Sequence, residues 1–260
     1  MRNEIYRNIL VKREQKQKML AVLLDPDKCK DRHIVSIIAM LKSYPPDFVF
    51  VGGSHTILST NSLIEILQEE LSSKIVLFPG DASQFSDKAD ALLLLSLLSG
   101  RNPEYLIGQH VNSAMGIRAS GVEVIPTAYI LVEGGKTSAV EYMSNTRAIP
   151  RNKKDIAVST AVAGELLGMR LTYLEAGSGA QLPVPTEMIQ AVRHNLDMPL
   201  IVGGGIGTPE AMMAAFEAGA DLVVIGNAFE SQPQLIPDFA QALEKCNEKV
   251  EMQSGKLPDN

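Results

Sequence analysis

The sequence predicts a (β/α)8 barrel, and three observations predict it. Eight short runs rich in Val, Ile and Leu recur at 19–24, 48–51, 74–78, 91–95, 122–131, 171–174, 200–202 and 222–225. They do not alternate with polar residues, so each reads as a strand covered on both faces, the habit of parallel strands. Stretches with helical spacing separate several of them. The glycine clusters follow the seventh and eighth runs, whereas the alternative, an open doubly wound sheet, more often carries its glycine fingerprint after the first strand. A chain of 260 residues buries such a core as a single domain, here 1–260, without disulfides or structural metals.

Residues 2–18 open the chain with a charged amphipathic helix whose Ile5, Ile9 and Leu10 share a side; it is expected to cap the barrel bottom. After the first strand, Ile34, Ile37, Ile38 and Leu41 form a helical stripe, and Leu63, Ile64, Ile66, Leu67 and Leu71 form a second. The link at 79–90 is short and polar and starts Pro-Gly-Asp, so no crossover helix fits after strand three. A loop or single turn is expected there. Leu106, Ile107, His110, Val111 and Ala114 form a third stripe. The stretch 133–155 has little apolar period and contains Gly134-Gly135 and Pro150, which suggests a mobile lid. Thr208-Pro209-Glu210 supplies an N-cap, a first-turn proline and an early acid for the helix after strand seven. The polar end, about 247–260, is expected to fray.

Composition excludes several classes. The 24 Lys and Arg stand against 30 Asp and Glu, a net charge of −6 that disfavours nucleic acid. No apolar run approaches the ~20 residues of a membrane span, so any membrane contact is peripheral. Cys29 and Cys246 fit no metal-ligand spacing and suggest inert thiols in a reducing compartment, the cytoplasm. His33, His55, His110 and His194 show no pairing, and no Ser, Cys or Lys has an activating neighbour, so a covalent nucleophile has no candidate.

Barrel enzymes work at the C-terminal ends of their strands, and there this chain places carboxylates, a hydroxyl and glycines. Gly203-Gly204-Gly205 and Gly226-Asn227 follow strands seven and eight. Glycines let backbone N–H groups approach an anion, so the pair predicts a cup for one phosphate group. Asp25 ends strand one and Ser54 follows Gly52-Gly53 after strand two. Magnesium carried by a diphosphate needs one or two such oxygens plus water; the alternative is that Asp25 and Asp27 only shape an Asp-Pro turn. Lys28 is expected to be a surface lysine, with a phosphate contact as the alternative. Glu175 closes strand six, where a carboxylate orients hydroxyls and takes a proton, or else satisfies nearby N–H groups.

Taken together, Leu24-Asp25-Pro26-Asp27-Lys28, Val51-Gly52-Gly53-Ser54, Tyr173-Leu174-Glu175-Ala176-Gly177-Ser178-Gly179, Gly203-Gly204-Gly205-Ile206 and Ile225-Gly226-Asn227 resemble the signatures of geranylgeranylglyceryl phosphate synthases. That family includes the related bacterial heptaprenylglyceryl phosphate synthases. The resemblance implies a modified barrel with the third helix replaced by a loop. It also implies a magnesium-dependent (Mg2+) prenyltransferase joining sn-glycerol 1-phosphate to a polyprenyl diphosphate, geranylgeranyl diphosphate being the first choice, as a cytoplasmic homo-oligomer. Carried over by position, Asp25 and Ser54 would bind the metal; Glu175 is the expected catalytic residue, orienting or deprotonating the 3-hydroxyl. Tyr173, Leu174, Glu175, Ala176, Gly177, Ser178, Gly179, Gly204, Gly205, Gly226 and Asn227 would bind glycerol phosphate. One branch has a lysine two residues before the strand-one aspartate; Leu23 stands there, which matches the other branch. Two rivals share the cup: a barrel enzyme acting on a small sugar or triose phosphate, and a non-catalytic binder of phosphate metabolites.

Overall fold

Eight parallel strands close on themselves in sequence order: β1 (Met19–Leu24), β2 (Phe48–Val51), β3 (Lys74–Leu77), β4 (Ala91–Leu97), β5 (Glu123–Leu131), β6 (Leu171–Glu175), β7 (Leu200–Gly203) and β8 (Leu222–Ile225). The ring shuts where Ala21 of β1 pairs with Val224 of β8. This computed structural model describes residues 3–254. Flanking the strands are α1 (Glu4–Glu14), α2 (Asp31–Ser43), α3 (Thr60–Glu70), α4 (Gln109–Ser120), α5 (Ala139–Ser144), α6 (Lys154–Leu166), α7 (Thr186–His194), α8 (Pro209–Glu217), α9 (Asn227–Ser231) and α10 (Ile236–Ser254). Between β3 and β4 the chain makes only one 3-10 turn, Ala82–Gln84, so the loop expected in place of a helix is present. Among the described residues, no helix is long and apolar enough to cross a membrane.

The period of two along each strand sorts the side chains into two cores. Met19 and Ala21, Phe48 and Phe50, Leu171 and Tyr173, and Leu222 and Val224 fill the barrel interior. Leu20, Val22 and Leu24, Val49 and Val51, and Leu174 face outward against the helices. Continuing the same alternation carries Asp25 and Glu175 to the inward side at the strand ends. That parity is why an apolar barrel opens on a polar mouth.

The bottom is closed by α1, whose Ile5 and Ile9 join the interior core. Its first amides, Ile5 N–H and Tyr6 N–H, each donate at 2.8 Å to the buried Glu123 carboxylate, a favourable charge for a helix N-terminus. The helix spans Glu4–Glu14 rather than the whole of 2–18, and residue 2 lies outside the described residues.

Two expectations need correction. The tail expected to fray from 247 is helical to Ser254, because Asn247 clamps the chain: Lys18 N–H donates to its Oδ1 at 2.7 Å and its Nδ2 donates to Lys18 O at 3.0 Å. Residues 255–260 lie outside the described residues. The stripe through Ile107 and Val111 is exposed. Glu104–Gly108 is wound as a π-helix, which rotates the following face so that His110 of that stripe turns inward together with Ser113 and Ile117, while Ile107 and Val111 turn outward. The 133–155 stretch contains α5, held by a reciprocal Ser138–Glu141 capping box, and a bridge between Val132 and Ile149.

Candidate active site

The strand ends enclose a cavity of about 420 Å³ that brings together Asp25, Ser54, Tyr173, Glu175, Gly177, Ser178, Gly179, Gly204, Gly205, Gly226 and Asn227. Leu174 and Ala176 are not in its lining. Leu174 points into the outer core, and Ala176 is buried there with its N–H donating to Gly203 O at 3.0 Å. They hold β6 against β7, with Tyr173 and Glu175 facing inward.

Glu175 is buried at the end of β6. Its Oε1 accepts a short 2.6 Å hydrogen bond from Gly177 N–H. Burial raises its carboxyl from 4.5 to about 7, against the stabilising Gly177 N–H and the nearby Tyr173 hydroxyl. Glu175 therefore changes charge near neutral pH, which suits a proton acceptor. Tyr129 and Tyr173 lie beneath it with Phe78, their ring centroids 5.3–5.8 Å apart. Burial and then the Glu175 charge push both phenols well above their usual range, so they stay protonated. The buried Tyr173 hydroxyl lies on the cavity side next to the Glu175 carboxylate and makes no geometrically complete hydrogen bond.

The glycine turn after β7 fits around this carboxylate. Gly204 has φ +79°, and a Cβ there would stand 2.3 Å from Glu175 Oε1 and 2.7 Å from Ala176 N. Only glycine permits the turn and the carboxylate together. Gly226 differs: a Cβ would meet nothing closer than Leu23 Cβ and Leu23 O at 3.4 Å.

On the opposite side, Asp25 and Ser54 both line the cavity. Asp25 Oδ1 accepts from Asp27 N–H at 3.0 Å, so the Asp-Pro turn is real, yet Oδ2 remains on the cavity side against Gly53. Burial raises the Asp25 carboxyl, opposed by the Asp27 N–H and the Lys28 charge. Asp27 holds the next loop instead, accepting from Ile57 N–H at 2.8 Å and Leu58 N–H at 2.9 Å. The buried Gln84 amide pins the Ser54 loop to the turn after β3, accepting from Gly53 N–H and Gly80 N–H and donating to Gly53 O. Among the described residues, no three His, Cys, Asp or Glu side chains cluster to hold a metal by themselves. A carboxylate and a hydroxyl fit magnesium only when substrate phosphate and water complete its shell.

A second, apolar cavity opens beside the first and shares Gly53, Ser54, Phe78, Tyr129 and Val140 with it. It runs between β4 and α4 where the missing third helix would have lain, past Phe85, Leu93, Leu95, Tyr105, His110, Ile117 and Met143. Sequence reading did not locate it, nor the buried Glu230 at the mouth, whose Oε1 accepts from Asp25 N–H at 2.8 Å and whose Oε2 pairs with Lys28 Nζ at 2.9 Å. Glu230 lies three residues past Asn227, but nothing in its local sequence marks a contact 205 residues away.

Known proteins are similar to this chain along most of its length. The geranylgeranylglyceryl phosphate synthase of Chitinophaga pinensis is 46% identical over 246 residues, covering 94% of this chain and 97% of that protein. The enzyme of the same name from Flavobacterium johnsoniae is 48% identical over 231 residues, 87% of this chain and 94% of that one. The crystal structure of (S)-3-O-geranylgeranylglyceryl phosphate synthase from Thermoplasma acidophilum, in complex with its substrate sn-glycerol-1-phosphate, superposes with a TM-score of 0.85 at 33% identity, covering 94% of this chain and 98% of that one. The sequence profile of the PcrB family matches residues 11–243. The chain belongs to the PcrB family.

Proposed function

We propose that this chain joins sn-glycerol 1-phosphate to a polyprenyl diphosphate, geranylgeranyl diphosphate being the first candidate, through an ether bond. The observation that carries this reading is the pair of adjoining cavities. A polar mouth with a glycine cup and a buried carboxylate suits a small phosphorylated alcohol, and the apolar cavity opening into it suits a long hydrocarbon tail. A sugar or triose phosphate would leave the apolar cavity without a purpose.

In the proposed reaction the phosphate rests on the backbone N–H groups of the Gly203–Gly205 turn and the Gly226-Asn227 strand end. That anchor directs the 3-hydroxyl toward Glu175. The ether C–O bond forms between this oxygen and the first prenyl carbon as the carbon–diphosphate bond breaks, and Glu175 receives the hydroxyl proton. The diphosphate leaves with both electrons of the broken bond. Magnesium, which Asp25 and Ser54 would hold, supplies neutralising charge to that leaving group. Phe78, Tyr129 and Tyr173 keep water from the prenyl carbon. A cytoplasmic homo-oligomer with at most peripheral membrane contact is the setting we propose. The test is product analysis: purified protein, magnesium and both substrates should give a prenylglyceryl phosphate ether and one diphosphate per turnover, and no product in repeated assays would reject the reading.

A further inference from the structure

We propose that Lys28 binds the phosphate group of sn-glycerol 1-phosphate and that Glu230 is its positioning residue, an assignment resting on the function proposed above. The charge balance of the mouth comes first. Its lining includes three carboxylates, Asp25, Glu175 and Glu230, and Lys28 as the only Lys or Arg among the described residues. Lys136 Nζ stands 3.6 Å from where a Cβ on Gly179 would lie, but Lys136 is not in that lining. A phosphate dianion entering among carboxylates is repelled unless a cation stands close to its seat.

Lys28 stands there. Its Nζ donates to Asn227 Oδ1 at 2.9 Å and to Glu230 Oε2 at 2.9 Å, and lies 3.9 Å from Asp25 Oδ2. It thus bridges the strand-one end and the glycine cup. Asn227 Oδ1 also accepts from Ser178 Oγ at 3.1 Å, so two donors converge on one amide oxygen at the rim of the cup. A phosphate oxygen is a stronger acceptor than an amide and takes up both donors when it arrives. An ammonium has three N–H groups, and Glu230 and Asn227 use two, leaving one for the ligand from the outset.

Glu230 makes this placement durable. Its side chain is 5% exposed, while that of Lys28 is 43% exposed and would otherwise sample solvent. With Oε1 tied to Asp25 N–H, the carboxylate holds the ammonium over the mouth rather than following it outward. A purely structural lysine would merely neutralise Glu230, and the two roles separate experimentally.

The experiment compares wild type with Lys28→Met, Glu230→Gln, the double variant Lys28→Met/Glu230→Gln, and Lys42→Met as a control on an exposed ion pair. Lys28→Met alone strands a buried carboxylate and is at risk of unfolding; the double variant removes both charges and keeps the question answerable. Thermal unfolding establishes which variants are folded. Steady-state kinetics then vary each substrate in turn, and calorimetry measures sn-glycerol 1-phosphate binding. We expect the KM and Kd for sn-glycerol 1-phosphate to rise about ten- to a hundredfold in the double variant, the worth of a charge-assisted hydrogen bond. The kcat and the prenyl diphosphate KM should stay within a few-fold. Glu230→Gln should raise the same KM by less, with kcat unchanged, and Lys42→Met should change nothing. A folded double variant that binds sn-glycerol 1-phosphate like wild type overturns the assignment, as does a rise confined to the prenyl diphosphate KM. A wild-type protein that neither binds nor turns over sn-glycerol 1-phosphate overturns the function itself, and this assignment with it.

Discussion

Replacing Glu175 by Gln should make the protein more stable at alkaline pH and far less active. In the folded state burial holds this carboxyl at about 7, against 4.5 for an ordinary glutamate. The fold therefore retains a proton that the unfolded chain has released, and its stability falls as pH rises from 4.5 through about 7. A shift of that size corresponds to about 3 kcal/mol lost by the time Glu175 is fully ionised. Gln keeps the shape, and its amide oxygen still accepts from Gly177 N–H, but it carries no charge to desolvate. The difference in unfolding free energy between variant and wild type should grow by about 2.5 kcal/mol in favour of the variant between pH 5 and pH 8. Subtracting one protein from the other cancels the contributions of the remaining titrating groups. Urea unfolding across this range reads the difference directly. Turnover with both substrates saturating should drop by about 10²–10⁴-fold, the usual worth of a positioned proton acceptor, while prenyl diphosphate affinity changes little. A stability difference that stays flat with pH would show that Glu175 is not held protonated. Turnover within a few-fold of wild type would mean that water or the departing diphosphate takes the proton.

Gly204→Ala should weaken sn-glycerol 1-phosphate binding and cut turnover at least tenfold, since its Cβ would collide with Glu175 Oε1 and adds left-handed strain of about 1–2 kcal/mol; Gly226→Ala, with nothing nearer than 3.4 Å, should bind within a few-fold of wild type by calorimetry. Asp25→Asn should abolish magnesium-supported prenyl transfer yet leave calorimetric sn-glycerol 1-phosphate binding largely intact, because the two anions use different halves of the mouth. Ser113→Trp, which fills the apolar cavity at α4, should raise the KM of the longest prenyl diphosphates most and leave that of sn-glycerol 1-phosphate unchanged.

The barrel was legible in the sequence because its signals are local. Strands buried on both faces read as unbroken apolar runs, and β2 and β8 occupy the predicted residues to the last position. The inward carboxylates were legible for the same reason, since strand parity places Asp25 and Glu175 at the mouth. What escaped depends on contacts between distant segments. Glu230 meets Asp25 and Lys28 across more than two hundred residues, and Asn247 meets Lys18 across 229. Gln84 looks like an ordinary loop residue until its amide bridges Gly53 and Gly80. The π-wound turn at Glu104–Gly108 defeated a pattern that assumes 3.6 residues per turn, so the apolar cavity beside α4 stayed hidden although the missing helix that makes room for it was foreseen. Leu174 and Ala176 lie in the motif without lining the cavity, because the same parity that turns Glu175 inward turns Leu174 outward.

The most direct test of the central claim is mass spectrometry of the lipid formed by the purified protein from sn-glycerol 1-phosphate, magnesium and a mixture of prenyl diphosphates of different lengths. A single ether linkage at the 3-hydroxyl, a preference for long chains, and loss of product when Glu175 is replaced by Gln are expected. Diphosphate release without an ether product, or turnover of a triose phosphate instead, would contradict that claim.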